Sequence, residues 1–157
     1  MKKLFHASFA YAIAGVLSGL YYREFTKVNN FTGESQLGLV HTHWLVLGFI
    51  VLLVVLMLEK VFAISAAAPR LSAWFFWIWN AGVAVTGGMM LVKGTLVVSG
   101  ADAGSKALAG IAGTGRMLLT AGLVLLFLAL RKALAAAAQT AAPLTEAPGR
   151  LPAATKA

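Results

Sequence analysis

Two histidines, His41 and His43, open the stretch "LVHTHWLVLGFIVLLVVLMLEKVF" at the mouth of a nearly uninterrupted run of hydrocarbon side chains. Imidazole nitrogens ligate metals and carry protons, and so do chemistry that few other side chains can do at such a boundary. Further ionisable groups fall at the same level of the chain's apolar pattern. Lys93 interrupts "GGMMLVKGTLVV", Arg116 interrupts "IAGTGRMLL", and Arg23 with Glu24 closes the first apolar run. A Lys or Arg at the centre of an apolar helix costs roughly 2.5 to 3.5 kcal/mol, so such residues mark a partner or a path. Heme b or a related porphyrin fits the set: imidazole is an axial ligand, the macrocycle needs an apolar slot, and two propionates need cations. Other readings stay open. The His-x-His pair could hold copper or zinc, His43 could face headgroups without a ligand, Lys93 and Arg116 could snorkel, and Arg23 could simply pair with Glu24.

The elements that must position these residues are set by composition. The chain has 157 residues, 60% of them hydrophobic, and a mean hydropathy of +0.84; this is the signature of an all-α, polytopic membrane protein. A span needs about 20 residues to cross a hydrocarbon core about 30 Å thick. Four apolar runs meet that requirement, near residues 4–22, 40–62, 72–98 and 107–130, within a transmembrane domain over 1–132. The Ala/Pro-rich tail, 133–157, is expected to be disordered and cytoplasmic, with its first residues able to extend the last helix. There are 13 Lys+Arg against 5 Asp+Glu, a formal charge of +8. The basic residues form no aromatic-interleaved stripe, which argues against nucleic acid as a partner. Lys2, Lys3, Lys60, Arg70, Arg131 and Lys132 outnumber Arg23, Lys27 and Lys106 across the four spans, predicting N-in and C-in. Trp74, Trp77 and Trp79 suit an interfacial belt at the start of the third span. A cleaved signal peptide ending near Gly15 is the competing reading of the first segment. Without cysteines there are no disulfides and no thiolate metal sites.

Depth and helix geometry then restrict the chemistry. His6 lies near the inner end of the first span and His41 and His43 near the outer end of the second, about 20 Å or more apart at 1.5 Å per residue. Residues two apart on a helix point about 200° from each other, so His41 and His43 cannot ligate one iron from the same helix. The second ligand is then Met89 or Met90, or a histidine of a neighbouring subunit. His41 of one copy against His43 of the next is a heterologous contact, which closes only as a ring. Gly15, Gly19, Gly82, Gly87, Gly88, Gly110 and Gly113 offer thin surfaces for close helix packing, within one bundle or between copies.

"SFAYAIAGVLSGLYYREFTKVN" followed by "LGLVHTHWLVLGF" resembles a family of short, four-span bacterial membrane proteins of unknown function, most specifically in YREFTK and HTH. That resemblance implies the bacterial inner membrane and no activity. "HTHWLVLGF" also looks like the heme-ligating helices of subunit I of heme-copper oxidases and nitric-oxide reductases. What it implies is b-type heme ligation by His41 or His43 and, by analogy with the three four-helix arcs of that subunit, a homotrimer with one heme per junction. The copper-ligating histidine pair and the histidine–tyrosine element of those enzymes are missing, so copper-assisted oxygen reduction is not expected. Tyr11, Tyr21 and Tyr22 read as packing or interface residues. No nucleophile–base pair or phosphate loop suggests an enzyme. The function classes that remain are a membrane cytochrome exchanging electrons with quinol or a periplasmic carrier, or sensing redox state or a diatomic gas; a cofactor-free transport or scaffold protein; and an outer-face copper or zinc binder.

Overall fold

The computed structural model describes residues 1–141. Four helices are long and apolar enough to cross a membrane: Lys2–Val28, Leu37–Phe62, Pro69–Val98 and Lys106–Gln139. They contain the four expected spans and run past them, because the polar ends, such as Arg23 to Lys27, remain helical where the backbone can leave the apolar layer. In chain order the elements are α1 (Lys2–Val28), α2 (Leu37–His43), a π-helical segment π1 (Trp44–Ile50), α3 (Val51–Phe62), the short α4 (Ile64–Ala67), α5 (Pro69–Val98) and α6 (Lys106–Ala141). The second span is thus α2, π1 and α3 in continuity. Residues 133–141 continue α6, as their alanine content favours. The rest of the expected disordered tail lies outside the described residues.

Close approaches give the topology. A Cβ added at Gly19, Gly15 or Gly48 would meet His41, Leu45 or Tyr11 respectively, so α1 and the second span are antiparallel. Gly94 faces Leu37 and Gly87 faces Trp44, which makes the second span antiparallel to α5. Gly82 faces Leu119 and Gly115 faces Thr86, making α5 and α6 antiparallel. The result is an up-down-up-down bundle. Its central core joins Leu52, Val55, Phe75, Trp79, Val83 and Leu126, and smaller clusters sit at the two ends.

One expectation is corrected and another is narrowed. Trp74 and Trp77 are exposed as an interfacial belt requires, but Trp79 is buried in the core and its indole N–H donates to the Leu47 carbonyl at 3.1 Å. The reason is helical phase: Trp79 shares the inward face of α5 with Phe75 and Val83, four residues to either side. Gly88, Gly110 and Gly113 face open space rather than a neighbouring helix of this chain.

The ends are held by local chemistry. Ser35 Oγ accepts from the Leu37 N–H at 3.2 Å and donates to the Gly94 carbonyl at 3.0 Å, capping the second span while tying it to α5. Pro69 begins α5, where its missing N–H costs nothing. Between α3 and α4, Ala63 takes a left-handed conformation with φ of 48°, a strained choice for a residue with a Cβ. Glu59 offsets that strain: its backbone carbonyl accepts from the Ala63 N–H, and its carboxylate accepts from Ser65.

Gly94→Ala would place a Cβ 2.3 Å from the Leu37 backbone nitrogen, so it should cost about 1 to 3 kcal/mol. Gly88→Ala meets nothing within 4 Å and should hold or raise stability through its helix propensity. Thermal melts in detergent test the pair, and equal midpoints would reject this account of the α2–α5 contact.

Candidate functional site

At the end of the bundle opposite the amino terminus, a cavity of about 260 Å³ opens between α2, α5 and α6. His43, Met89, Met90, Lys93, Arg116, Gln36 and Thr86 are among its lining residues. Each helix contributes one face. Gln36, Leu39 and His43 recur at three and four residues on α2, and Thr86, Met89, Met90 and Lys93 do the same on α5. The close α2–α5 contact at Gly94 and Gly87 brings the two faces together. Among the described residues the lining includes a lysine, an arginine, an imidazole, an amide and a hydroxyl, but no carboxylate. Thr86 Oγ1 is buried with no hydrogen-bond partner. Such a cavity favours an anionic group.

The two histidines of the HTH stretch diverge, as their spacing requires. His43 Nδ1 lies 3.0 Å from the Leu39 carbonyl. A carbonyl only accepts, so Nδ1 carries the proton and Nε2 of the neutral ring keeps its lone pair for a ligand. Backbone tethering of the remote nitrogen is the arrangement found behind most metal-ligating histidines. His6 makes the same contact with the Lys2 carbonyl at 2.8 Å, at the other end of the bundle; it is the cationic surroundings that set His43 apart. His41 packs against Gly19 of α1, and its Nε2 sits 3.3 Å from the Thr42 hydroxyl. Its Nδ1 is buried with no hydrogen-bond partner, which costs about 1 to 3 kcal/mol.

Of the expected cations, Lys93 and Arg116 line the cavity with His43. Arg23 lies outside it, largely exposed and 3.7 Å from Glu24, in the only ion pair among the described residues. Met89 and Met90 share the cavity with His43, so a histidine and two thioethers line one cavity within one chain. No three His, Cys, Asp or Glu side chains come together among the described residues. The tyrosines pack as expected: Tyr11 crosses Gly48 and donates to the Asn80 carbonyl, Tyr21 meets Thr95, and Tyr22 lies against Gly38.

Sequence reading overlooked Gln36, Thr86 and Glu59. The first two were findable by projecting Lys93 and His43 back along their helix faces. Glu59 was visible as the lone acid ending an apolar run. The π segment that begins one residue after His43 has no sequence signal, although such segments recur at functional sites.

Together the fold and cavity define a multi-pass, four-helix membrane protein with a cationic pocket at one end. The chain belongs to the family of proteins of unknown function designated DUF2871, whose model matches residues 1–133. No curated protein and no solved structure matches the chain.

Sulfate binding in this cavity should raise the thermal midpoint of the detergent-solubilised protein by mass action. Because sulfate also strengthens burial generally, the informative comparison is with the Lys93→Gln, Arg116→Gln double variant. That variant should lose most of the sulfate-dependent rise relative to chloride at equal ionic strength; an undiminished rise would assign the effect to bulk salt.

Proposed function

We propose that this chain is a b-type heme-binding protein of the bacterial cytoplasmic membrane that transfers electrons or senses redox state. The observation that supports it is the environment of His43, a ring tethered through Nδ1 and sharing an acid-free cavity with Lys93 and Arg116. His43 would ligate the iron while Lys93 and Arg116 hold the propionates. Heme would supply a one-electron redox centre there, and two protein ligands to its iron would favour electron transfer over gas binding. The electron partner would be quinol or a periplasmic carrier. The lysine and arginine distribution supports N-in and C-in, which puts the cavity near the outer face.

The cavity's volume bears on assembly. At about 260 Å³ it falls just below the roughly 300 to 1,000 Å³ of small-molecule pockets, so one chain alone would enclose only part of a porphyrin. The remainder would be covered by a second copy. In the homotrimeric, oxidase-like arrangement, His41 of a neighbouring copy supplies the second ligand at each junction. A second reading is favoured by Met89 and Met90 lining the same cavity: a His43/Met pair within one chain, which leaves His41 free of iron. An outer-face copper or zinc site is the weaker alternative, given the absence of a three-ligand cluster among the described residues. A cofactor-free transporter or scaffold leaves the cations and the Thr86 hydroxyl unexplained.

The reduced-minus-oxidised spectrum of protein purified from heme-sufficient membranes tests the reading. A low-spin b-type spectrum is expected; a colourless preparation that takes up no added heme would overturn it. His43→Ala should abolish low-spin ligation, and Lys93→Leu with Arg116→Leu should weaken heme retention or shift the midpoint potential. His41→Ala separates the ligand sets. Loss of low-spin heme, regained in part by mixing His41→Ala with His43→Ala protein, supports the shared site. A monomer in native mass spectrometry that keeps full low-spin heme after His41→Ala assigns the second ligand to Met89 or Met90.

A further inference from the structure

At the amino-terminal end, a second cavity of about 340 Å³ is lined by Lys2, Lys3, Glu59, Ser65, Ser72 and Trp77, among others. An open groove of about 480 Å³ adjoins it, bounded by Lys3, His6 and Ala7 of α1 and Phe76, Trp77 and Asn80 of α5. Lys3, Phe76 and Trp77 belong to both, so a chamber of mixed lining that carries Lys2, Lys3, Glu59, Ser65 and Ser72 continues into a largely apolar cleft between α1 and α5. We propose that this compound site binds a zwitterionic phospholipid with a primary-ammonium headgroup, its ammonium on Glu59, its phosphate on Lys2 and Lys3, and one acyl chain in the α1–α5 groove.

Glu59 carries the argument. It is only 7% exposed, yet no cation among the described residues lies within ion-pair distance of it, although two lysines line the same cavity. Its carboxylate accepts from the Ser65 N–H at 2.9 Å and from the Ser65 hydroxyl. A carboxylate offers about four lone-pair positions, so capping α4 leaves acceptor capacity on both oxygens. A buried carboxylate without a counter-charge is costly. An ammonium with three N–H donors would satisfy that capacity, and a phosphate on the same molecule would answer the lysines. The separation of acid and bases within one cavity therefore matches a ligand carrying both signs. An anionic lipid would set its own charge against Glu59, and a quaternary ammonium has no N–H to donate. Exposed Trp74 and Trp77 put this chamber at the interfacial level, where headgroups lie.

Native mass spectrometry of the full chain in mild detergent tests the site, using phosphatidylethanolamine, phosphatidylcholine and phosphatidylglycerol of identical acyl chains. The ethanolamine lipid should be retained about tenfold more tightly than the choline lipid, the size of one charge-assisted hydrogen bond. Mono- and dimethylated ethanolamine lipids should fall in order between them. Glu59→Gln keeps an acceptor for Ser65 and should erase the preference, whereas Lys2→Gln with Lys3→Gln should weaken all three lipids. Equal retention of ethanolamine and choline lipids by the wild type overturns the proposal, as does a preference for the glycerol lipid or an ethanolamine preference that survives Glu59→Gln. Displacement by millimolar inorganic phosphate would assign the lysines to a free anion and also overturn it. The methylation series needs no variant, so it decides the matter even if Glu59→Gln fails to fold.

Discussion

Close approach of the second span to its neighbours is the constraint on which the rest of this structure depends. Lipid tails are as apolar as leucine, so helices in a bilayer gain little from the hydrophobic effect and must associate through packing and hydrogen bonds. Here Gly94 admits the backbone at Leu37, Gly87 admits the indole of Trp44, and Gly48 admits the ring of Tyr11. Side chains at these positions would move the second span away from α5 and α1. The Ser35 contacts to Gly94 and Leu37 lock the same junction from the loop side.

That junction fixes which way the histidines look. With Trp44 seated over Gly87, His43 turns toward α5 and α6 and His41 toward α1. The π segment starts immediately afterwards, and its wider turn offsets the face that carries the histidines from the face that fills the core below. A cationic cavity and a tightly packed apolar core can therefore share one helix. Trp44 Nε1, Thr86 Oγ1 and His41 Nδ1 are left buried without partners around this level. Native interiors contain few such groups, and of the three only Thr86 belongs to the cavity that Lys93 and Arg116 line.

Charge is divided between the ends of the bundle. Among the described residues, Lys93 and Arg116 have no carboxylate in their cavity, and Glu59 at the opposite end has no ion-pair partner. An interior salt bridge would have neutralised these groups at little benefit to stability. Leaving them apart keeps an anion-favouring pocket at one end and an acid-bearing one at the other.

Composition and run length were enough to determine that the chain is a four-span membrane protein, because crossing hydrocarbon demands about 20 apolar residues whatever the neighbours do. The divergence of His41 and His43 was equally legible, since it follows from helical period alone. Periodicity was less secure where two roles look alike: Trp79 belongs to the same aromatic cluster as Trp74 and Trp77, and it is core because its face of α5 meets the second span and α6. Shared depth was legible for His43, Lys93 and Arg116, but which helix faces meet was not. That Lys93, Arg116, Met89 and His43 share a cavity while Arg23 does not, that Gly94 rather than Gly88 forms the contact, and that Glu59 faces Lys2 and Lys3 across a chamber all depend on helix rotation and spacing. Those are settled by the sum of many weak packing contacts between residues far apart in the chain. A single sequence records each contact surface but not which surface it meets.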